Sequence, residues 1–345
     1  MPGKIIYGAD SIEIKLSGQL SEEEHAALLQ EVSSHIESGR VFKKVKLHLS
    51  DSSEIDDKVL GLIAATKTEE ISLTYFPKLK HDAICRGLVQ IIALGQIKKL
   101  DLKDCTLKDE GLSILHKALA TSSLTEIDLT NNEIGDEGVK LLADILRRNP
   151  NITTLNLSLN NIGDEGLSTL AEVLATNSPL QNLNLSFNEI TEVEALTPAI
   201  AANKNLVRLS LSRNRLDINQ YIDLCHGLAN NVSLEYLGLN EQRIMPKDEE
   251  SVDFGEASAT TKLQVIIEAR KAIGLPIKIS CINAEKQDLL AQTSDSDSSL
   301  PASLLDSTIE YMMHLKSSPS TSPALQEPQG LALHRNLNHG QSTSC

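Results

Sequence analysis

The chain has no tryptophan, and aromatic residues make up only 3% of its 345 residues. With so few, any aromatic set on a surface carries weight, because these side chains supply much of core and interface energy. The five cysteines, Cys85, Cys105, Cys225, Cys281 and Cys345, stand far apart. No pair has the C-x-x-C spacing of a zinc or redox motif, so they read as reduced thiols of a cytosol-like compartment. No apolar run approaches the roughly 18 residues needed to span a bilayer, and "MPGKIIYGAD" at the start lacks the apolar core of a signal peptide. No lipid anchor is expected from a Cys345 that is the last residue given and a Gly3 that follows Pro2. Positive charge is scarce, with 32 Lys plus Arg against 47 Asp plus Glu and a formal charge of -15. That balance disfavours nucleic acid or an anionic membrane as a partner. The composition therefore leads to the expectation of a cytoplasmic protein without membrane insertion.

What is abundant is leucine in register. The stretches "IKKLDLKDCTL" from 97, "LTEIDLTNNEI" from 124, "ITTLNLSLNNI" from 152, "LQNLNLSFNEI" from 180, "LVRLSLSRNRL" from 206 and "LEYLGLNEQRI" from 234 follow one another at steps of 27, 28, 28, 26 and 28 residues. Self-similarity at this period is the signature of a leucine-rich repeat, one strand and one helix per turn of a solenoid. "FKKVKLHLS" from 42 and "TEEISLTYF" from 68 fit the same phase less well. The expected fold class is α/β: a horseshoe solenoid with a parallel concave sheet and outer helices. The expected domains are an N-terminal cap at 1–41, about eight repeats at 42–244 with the first two degenerate, an acidic loop and C-terminal cap at 245–283, and a mostly disordered tail at 284–345. In the N-terminal cap, "SIEIKL" alternates as a strand, and "SEEEHAALLQEVSSHIESG" reads as a helix with Ser21 and Glu24 in a capping box. In the C-terminal cap, a helical pattern at about 258 to 273 precedes an alternating "LPIKISCIN".

Two repeats share "GDEG" at 135 to 138 and 163 to 166. Each sits where a strand has ended and a helix must begin, so the glycine reads as the bend and Asp136 and Asp164 as N-cap acceptors. Glu137 and Glu165 then fall in the first helical turn, where negative charge suits the helix dipole. Stacked turns could in principle let these carboxylates share a cation. No His or Cys joins them, and neither a metal nor a cofactor is expected. The ninth position of the repeat carries Cys105, Asn132, Asn160, Asn188, Asn214 and Gln242. A side-chain amide here is expected to satisfy backbone groups of the adjacent turn. On the helices, Val139, Leu142, Ala143 and Leu146 recur as Leu167, Leu170, Ala171 and Leu174 and as Tyr221, Leu224, Cys225 and Leu228, the i, i+3, i+4, i+7 spacing of one buried face. His116 takes the small-residue place in the first copy and reads as a packing residue.

The stretches "LTEIDLTNNEIGDEGVKLLADIL" and "ITTLNLSLNNIGDEGLSTLAEVLA" resemble the ribonuclease-inhibitor-like class of leucine-rich repeats, which includes the ribonuclease inhibitor, the Ran GTPase-activating protein, the sensor end of NOD-like receptors and bacterial effectors with GALA-type repeats. The resemblance covers 97 to 244 well and 42 to 96 loosely. It implies a horseshoe with a parallel sheet on the concave side, a scaffold whose partners vary across the family. GALA effectors resemble ubiquitin-ligase adaptors, but the Leu-Pro start of an F-box is missing from 1 to 41. The compact chain and polar tail also resemble effectors that intracellular bacteria deliver into a host cytosol.

Function is expected on the concave face, where the residues between the repeat leucines point. Most of these are small and polar, but Leu159 and Phe187 occupy one column in adjacent copies, with Arg213 next in it and Arg208 and Tyr236 nearby. Aromatic and Arg side chains dominate binding hot spots. The expectation is a monomeric, non-enzymatic module that binds a protein partner through Leu159, Phe187, Arg208, Arg213 and Tyr236. Two alternatives stay open. "ASLLDSTIEYMMHLK" in the low-complexity tail could form a helix, with Leu305, Ile309, Met312 and Met313 on one side, and carry the binding function of an adaptor or regulator. A Cys/His enzyme would need residues such as Cys105 and His116 to converge.

Overall fold

The computed structural model describes residues 3–16, 20–49, 57–74, 81–176, 178–216, 218–239 and 278–281. One sheet of eleven strands runs through the molecule in strict chain order. It begins with an antiparallel hairpin, β1 (Gly3–Tyr7) against β2 (Ser11–Leu16). The sequence pattern identifies β2 but not β1, whose "GKIIY" lacks alternation. From β2 onward every pairing is parallel, through β3 (Lys44–Leu49), β4 (Glu70–Thr74), β5 (Lys99–Asp101), β6 (Glu126–Asp128), β7 (Thr154–Asn156), β8 (Asn182–Asn184), β9 (Arg208–Ser210) and β10 (Tyr236–Leu239) to β11 (Lys278–Cys281). Helices α1 (Glu22–Glu37), α2 (Asp57–Thr66), α3 (His81–Ala93), α4 (Lys108–Ala120), α5 (Asp136–Arg148), α6 (Asp164–Ala175), α7 (Leu196–Ala202) and α8 (Ile218–Asn230) connect the strands from β2 to β10 and pack in succession beside one another. This is the α/β leucine-rich-repeat solenoid that the period implies.

The repeat leucines make the core. Leu124, Ile127 and Leu129, then Ile152, Leu155 and Leu157, then Leu180, Leu183 and Leu185 are all buried, as are their counterparts in the flanking repeats. The helices contribute the opposite wall, with Val139, Leu142, Ala143 and Leu146 of α5 and Leu167, Leu170, Ala171 and Leu174 of α6 buried. Because each turn buries its apolar face only against its neighbours, the core is one continuous ribbon rather than a ball. At the N-terminal end the capping box forms as its spacing predicts: Glu24 N–H donates to Ser21 Oγ at 3.2 Å and Ser21 N–H donates to Glu24 Oε2 at 3.0 Å. The side chains of Tyr221 and Cys225, the acidic loop from 245, the helical pattern at 258 to 273, Gln242, and the tail from 284 with "ASLLDSTIEYMMHLK" lie outside the described residues.

The GDEG carboxylates act differently from the expectation. Gly135 and Gly163 are themselves the N-caps, in extended backbone, and Asp136 and Asp164 are the first residues of their helices and cap nothing in them. Stacking sets the start of the following repeat beside each carboxylate. Asp136 Oδ1 accepts from Gly163 N–H at 2.8 Å and Gly166 N–H at 3.0 Å. Asp109 Oδ1 accepts from Gly135 N–H in the same way, at 2.9 Å, and Asp164 accepts from Thr191 and Glu192 N–H at 2.7 and 2.9 Å. Each acid thus caps the next repeat. The second glycine of the motif follows from this geometry: a methyl group on Gly166 would come 2.5 Å from Asp136 Oδ1 and 2.8 Å from Ile162.

The ninth-position amides do form a ladder. Asn160 Oδ1 accepts from Asn132 and Ile134 N–H, both at 3.0 Å, while its Nδ2 donates to Leu129, Leu157 and Ser158 carbonyls. Asn132, Asn188 and Asn214 bond likewise, each reaching back one repeat, and all four are buried.

Candidate functional site on the concave face

Strand register sorts the inward-facing polar residues into columns. Lys99, Glu126, Thr154, Asn182, Arg208 and Tyr236 occupy one column, and Asp101, Asp128, Asn156, Asn184, Ser210 and Gly238 the next. The column of Asp104, Asn131, Leu159, Phe187 and Arg213 lies just past the strands, where the chain starts to bend.

In that last column every residue has the left-handed backbone, with φ of 55° at Asp104, 55° at Asn131, 58° at Leu159, 59° at Phe187 and 57° at Arg213. The conformation is imposed by the repeat, because the amides of Asp104, Asn131, Leu159 and Phe187 are each pinned to the following turn. Leu159 N–H donates to Ser186 O at 2.9 Å and Phe187 N–H to Ser212 O at 2.8 Å. Asp and Asn tolerate this region well, whereas other L-residues pay about 1–2 kcal/mol for it. Asn131 also donates its Nδ2 to Asp104 Oδ1 at 2.6 Å, a favourable arrangement for the type. Leu159 and Phe187 therefore stand where Asn would be cheaper. Burial returns little of that cost at Leu159, which is 43% exposed. Phe187 is half-buried, and the Arg213 guanidinium lies 4.7 Å from its ring centre.

The five residues singled out from the sequence thus fall into two sets. Leu159, Phe187 and Arg213 share the bend column. Arg208 and Tyr236 are register partners in the first strand column. Five chain positions separate the columns, roughly 16 Å at full extension.

The charges of the face are divided along the solenoid. In the N-terminal half Lys44 pairs with Glu70 at 2.6 Å and Asp101 at 3.6 Å, Lys99 with Glu126 at 2.8 Å and Lys103 with Asp128 at 3.1 Å. The hydrogen bonds to Glu126 and Asp128 hold Lys99 and Lys103 above the usual lysine range. From β7 to β9 the face carries Thr154, Asn156, Ser158, Asn182, Asn184, Ser186, Ser210 and Ser212, with no carboxylate among them. Several bond to one another, as Asn182 Nδ2 does to Thr154 Oγ1 at 3.0 Å.

Cys105 and His116 do not converge. Cys105 Sγ faces the carbonyls of Lys103 and Leu73 at 3.4 and 3.7 Å. Burial and the Asp101 and Asp104 carboxylates push this thiol up to about 12, so at neutral pH it is no nucleophile. His116 is engaged on the helical side, with Nε2 2.7 Å from Asp144 Oδ2 of α5. Among the described residues no group of His, Cys, Asp and Glu has the arrangement of a metal site. No helix there is long and apolar enough to cross a membrane.

A family model described as Leucine Rich repeat matches residues 97–115, 122–143 and 148–171. Among solved structures the chain is similar to actin-binding site 2 of leiomodin-1, at 18% identity over 55% of this chain and 97% of that one, with a TM-score of 0.38. It is also similar to internalin C2 of Listeria monocytogenes, at 20% identity over 70% and 74% of the two chains and a TM-score of 0.34. A third likeness is to the Toll–Spatzle complex of Drosophila, at 13% identity over 70% of this chain and 32% of that one, with a TM-score of 0.40. No curated protein sequence matches the chain. The period, the parallel sheet in chain order, the amide ladder and the family match in the central repeats together identify the molecule as an α/β solenoid of leucine-rich repeats.

Proposed function

We propose that this protein is a non-enzymatic interaction module that grips a protein partner on the C-terminal half of its concave face, with Leu159 and Phe187 as apolar anchors. The observation that carries the reading is the choice of residue in the bend column: apolar side chains occupy a backbone conformation that disfavours them, and Leu159 stays in solvent. Departures from the locally cheapest residue are expected where function rather than stability has selected the side chain. A solenoid supplies the rigid concave surface such a module needs. Arg213, held against Phe187, supports the ring in place and reduces the entropy lost on docking.

The test is the double change Leu159→Asn and Phe187→Asn, measured on a partner captured with the intact chain. Affinity is expected to fall by at least roughly tenfold, about 1.4 kcal/mol. The midpoint of urea unfolding is expected to hold or rise, since Asn suits the left-handed backbone. Unchanged affinity would remove the concave face as the docking surface. A sharply lowered midpoint would show instead that the two side chains serve packing.

A further inference from the structure

The strand columns raise a question of charge. From β5 to β9 the charged side chains on the concave strand positions are Lys99, Asp101, Lys103, Glu126, Asp128 and Arg208. All but Arg208 are in ion pairs with one another or with Lys44. Arg208 is exposed and, among the described residues, has no carboxylate within ion-pair distance. Its column neighbours are Asn182 and Tyr236. On the next column, Asn184 Oδ1 accepts from Ser186 N–H at 3.0 Å. In a molecule of formal charge -15 this is one cation set among neutral side chains and unpaired among the described residues.

Resting on the docking face proposed above, we infer that Arg208 is the specificity residue of that face and reads a carboxylate, an Asp or Glu side chain of the partner. A guanidinium matches a carboxylate with two parallel N–H···O bonds and loses little water in doing so. The neutral surround of amides and hydroxyls lets a carboxylate approach without like-charge repulsion. Lys99 and Lys103 cannot do this, since they already hold acids. The site is built for a single carboxylate rather than a polyanion, because a phosphate backbone would need a run of cations, and the two strand columns carry no other cation from β7 to β9. The partner segment would then present an apolar residue to Leu159 and Phe187 and an acidic residue to Arg208.

A displayed library of random peptides selected on the full chain tests this. The expected consensus joins an acidic residue to an apolar one, and Arg208→Glu is expected to re-select peptides with Lys or Arg at the acidic place. Arg208→Lys should weaken the acidic peptides less than Arg208→Glu does, because it keeps the charge and loses the planar fork. Each wild-type peptide should lose at least roughly tenfold in affinity on Arg208→Glu, with the melt unchanged. A neutral or basic consensus, or peptides indifferent to Arg208→Glu, would overturn the carboxylate. Peptides lost on Phe187→Asn yet indifferent to Arg208→Glu would do the same while sparing the docking face. Peptides lost on Arg208→Glu but indifferent to Phe187→Asn would support the carboxylate and remove the apolar anchor.

Discussion

A carboxylate at the first helical residue accepts, in the case of Asp136, from two amides of the following repeat, Gly163 N–H and Gly166 N–H. Removing it by Asp136→Ala leaves the buried Gly166 and half-buried Gly163 donors without that acceptor, and a loss of about 1–3 kcal/mol in urea-unfolding free energy is expected. Asp136→Asn keeps an acceptor oxygen in place and gives up only the charge, so its cost should be under about 1 kcal/mol. Equal stability of the Ala variant and the wild type would show that water replaces the cap. The residue types of this device were readable from "GDEG", but its partner was not. A capping rule looks three residues along the chain, and here the acceptor and donor are separated by 27 and 30 positions. The bend column was legible in another sense: Leu159 and Phe187 stand out as apolar among polar residues. Their positive φ came only with the structure, because no local pattern announces it where Asn or Gly is absent.

At the scale of elements, short strands of three residues such as β6 to β9 would be marginal alone. They persist because amides stitch each turn to the next. Asn160 serves backbone groups of its own and the preceding repeat with both ends of its side chain. Asn160→Ala should cost about 3 kcal/mol or more, since several buried groups lose partners at once. The same change at exposed Asn151, which donates to one carbonyl at 3.4 Å, should cost well under 1 kcal/mol by the same reasoning. Thermal or urea melts of the two variants decide it, and similar losses would deny the ladder its role. This ladder was legible because the ninth position is filled by Asn in four successive copies. A second amide ladder escaped sequence reading. Asn149, Asn203 and Asn231 lie where helices end, and each donates Nδ2 to a carbonyl at the end of the preceding helix, Leu119, Leu174 and Ile200 respectively. All three stand three residues before the first apolar position of the next strand, so the signal was present. It was masked because neighbouring Asn and Ser look like ordinary loop residues.

Over the whole molecule the sheet divides into two kinds of surface. On β5 and β6 the concave charges are satisfied by one another or by Lys44, and exposed pairs of that kind add little stability and leave little to offer a partner. From β7 to β9 the strand positions carry amides, hydroxyls and the single cation Arg208, and are edged by Leu159, Phe187 and Arg213. Leucine spacing alone showed the solenoid and the position of its concave face, because each repeat restates the same register. The division between halves needed the pairing distances, which no single repeat contains. The proposed function places a protein partner on the second half. Site-specific photo-crosslinking tests this most directly, with a photoreactive residue replacing in turn Phe187 in the bend column, Glu126 in the self-paired half and Glu172 on the helical side. A captured partner is expected to crosslink strongly from position 187 and not from 126 or 172. Crosslinking from 172 with none from 187 would contradict the concave-face reading.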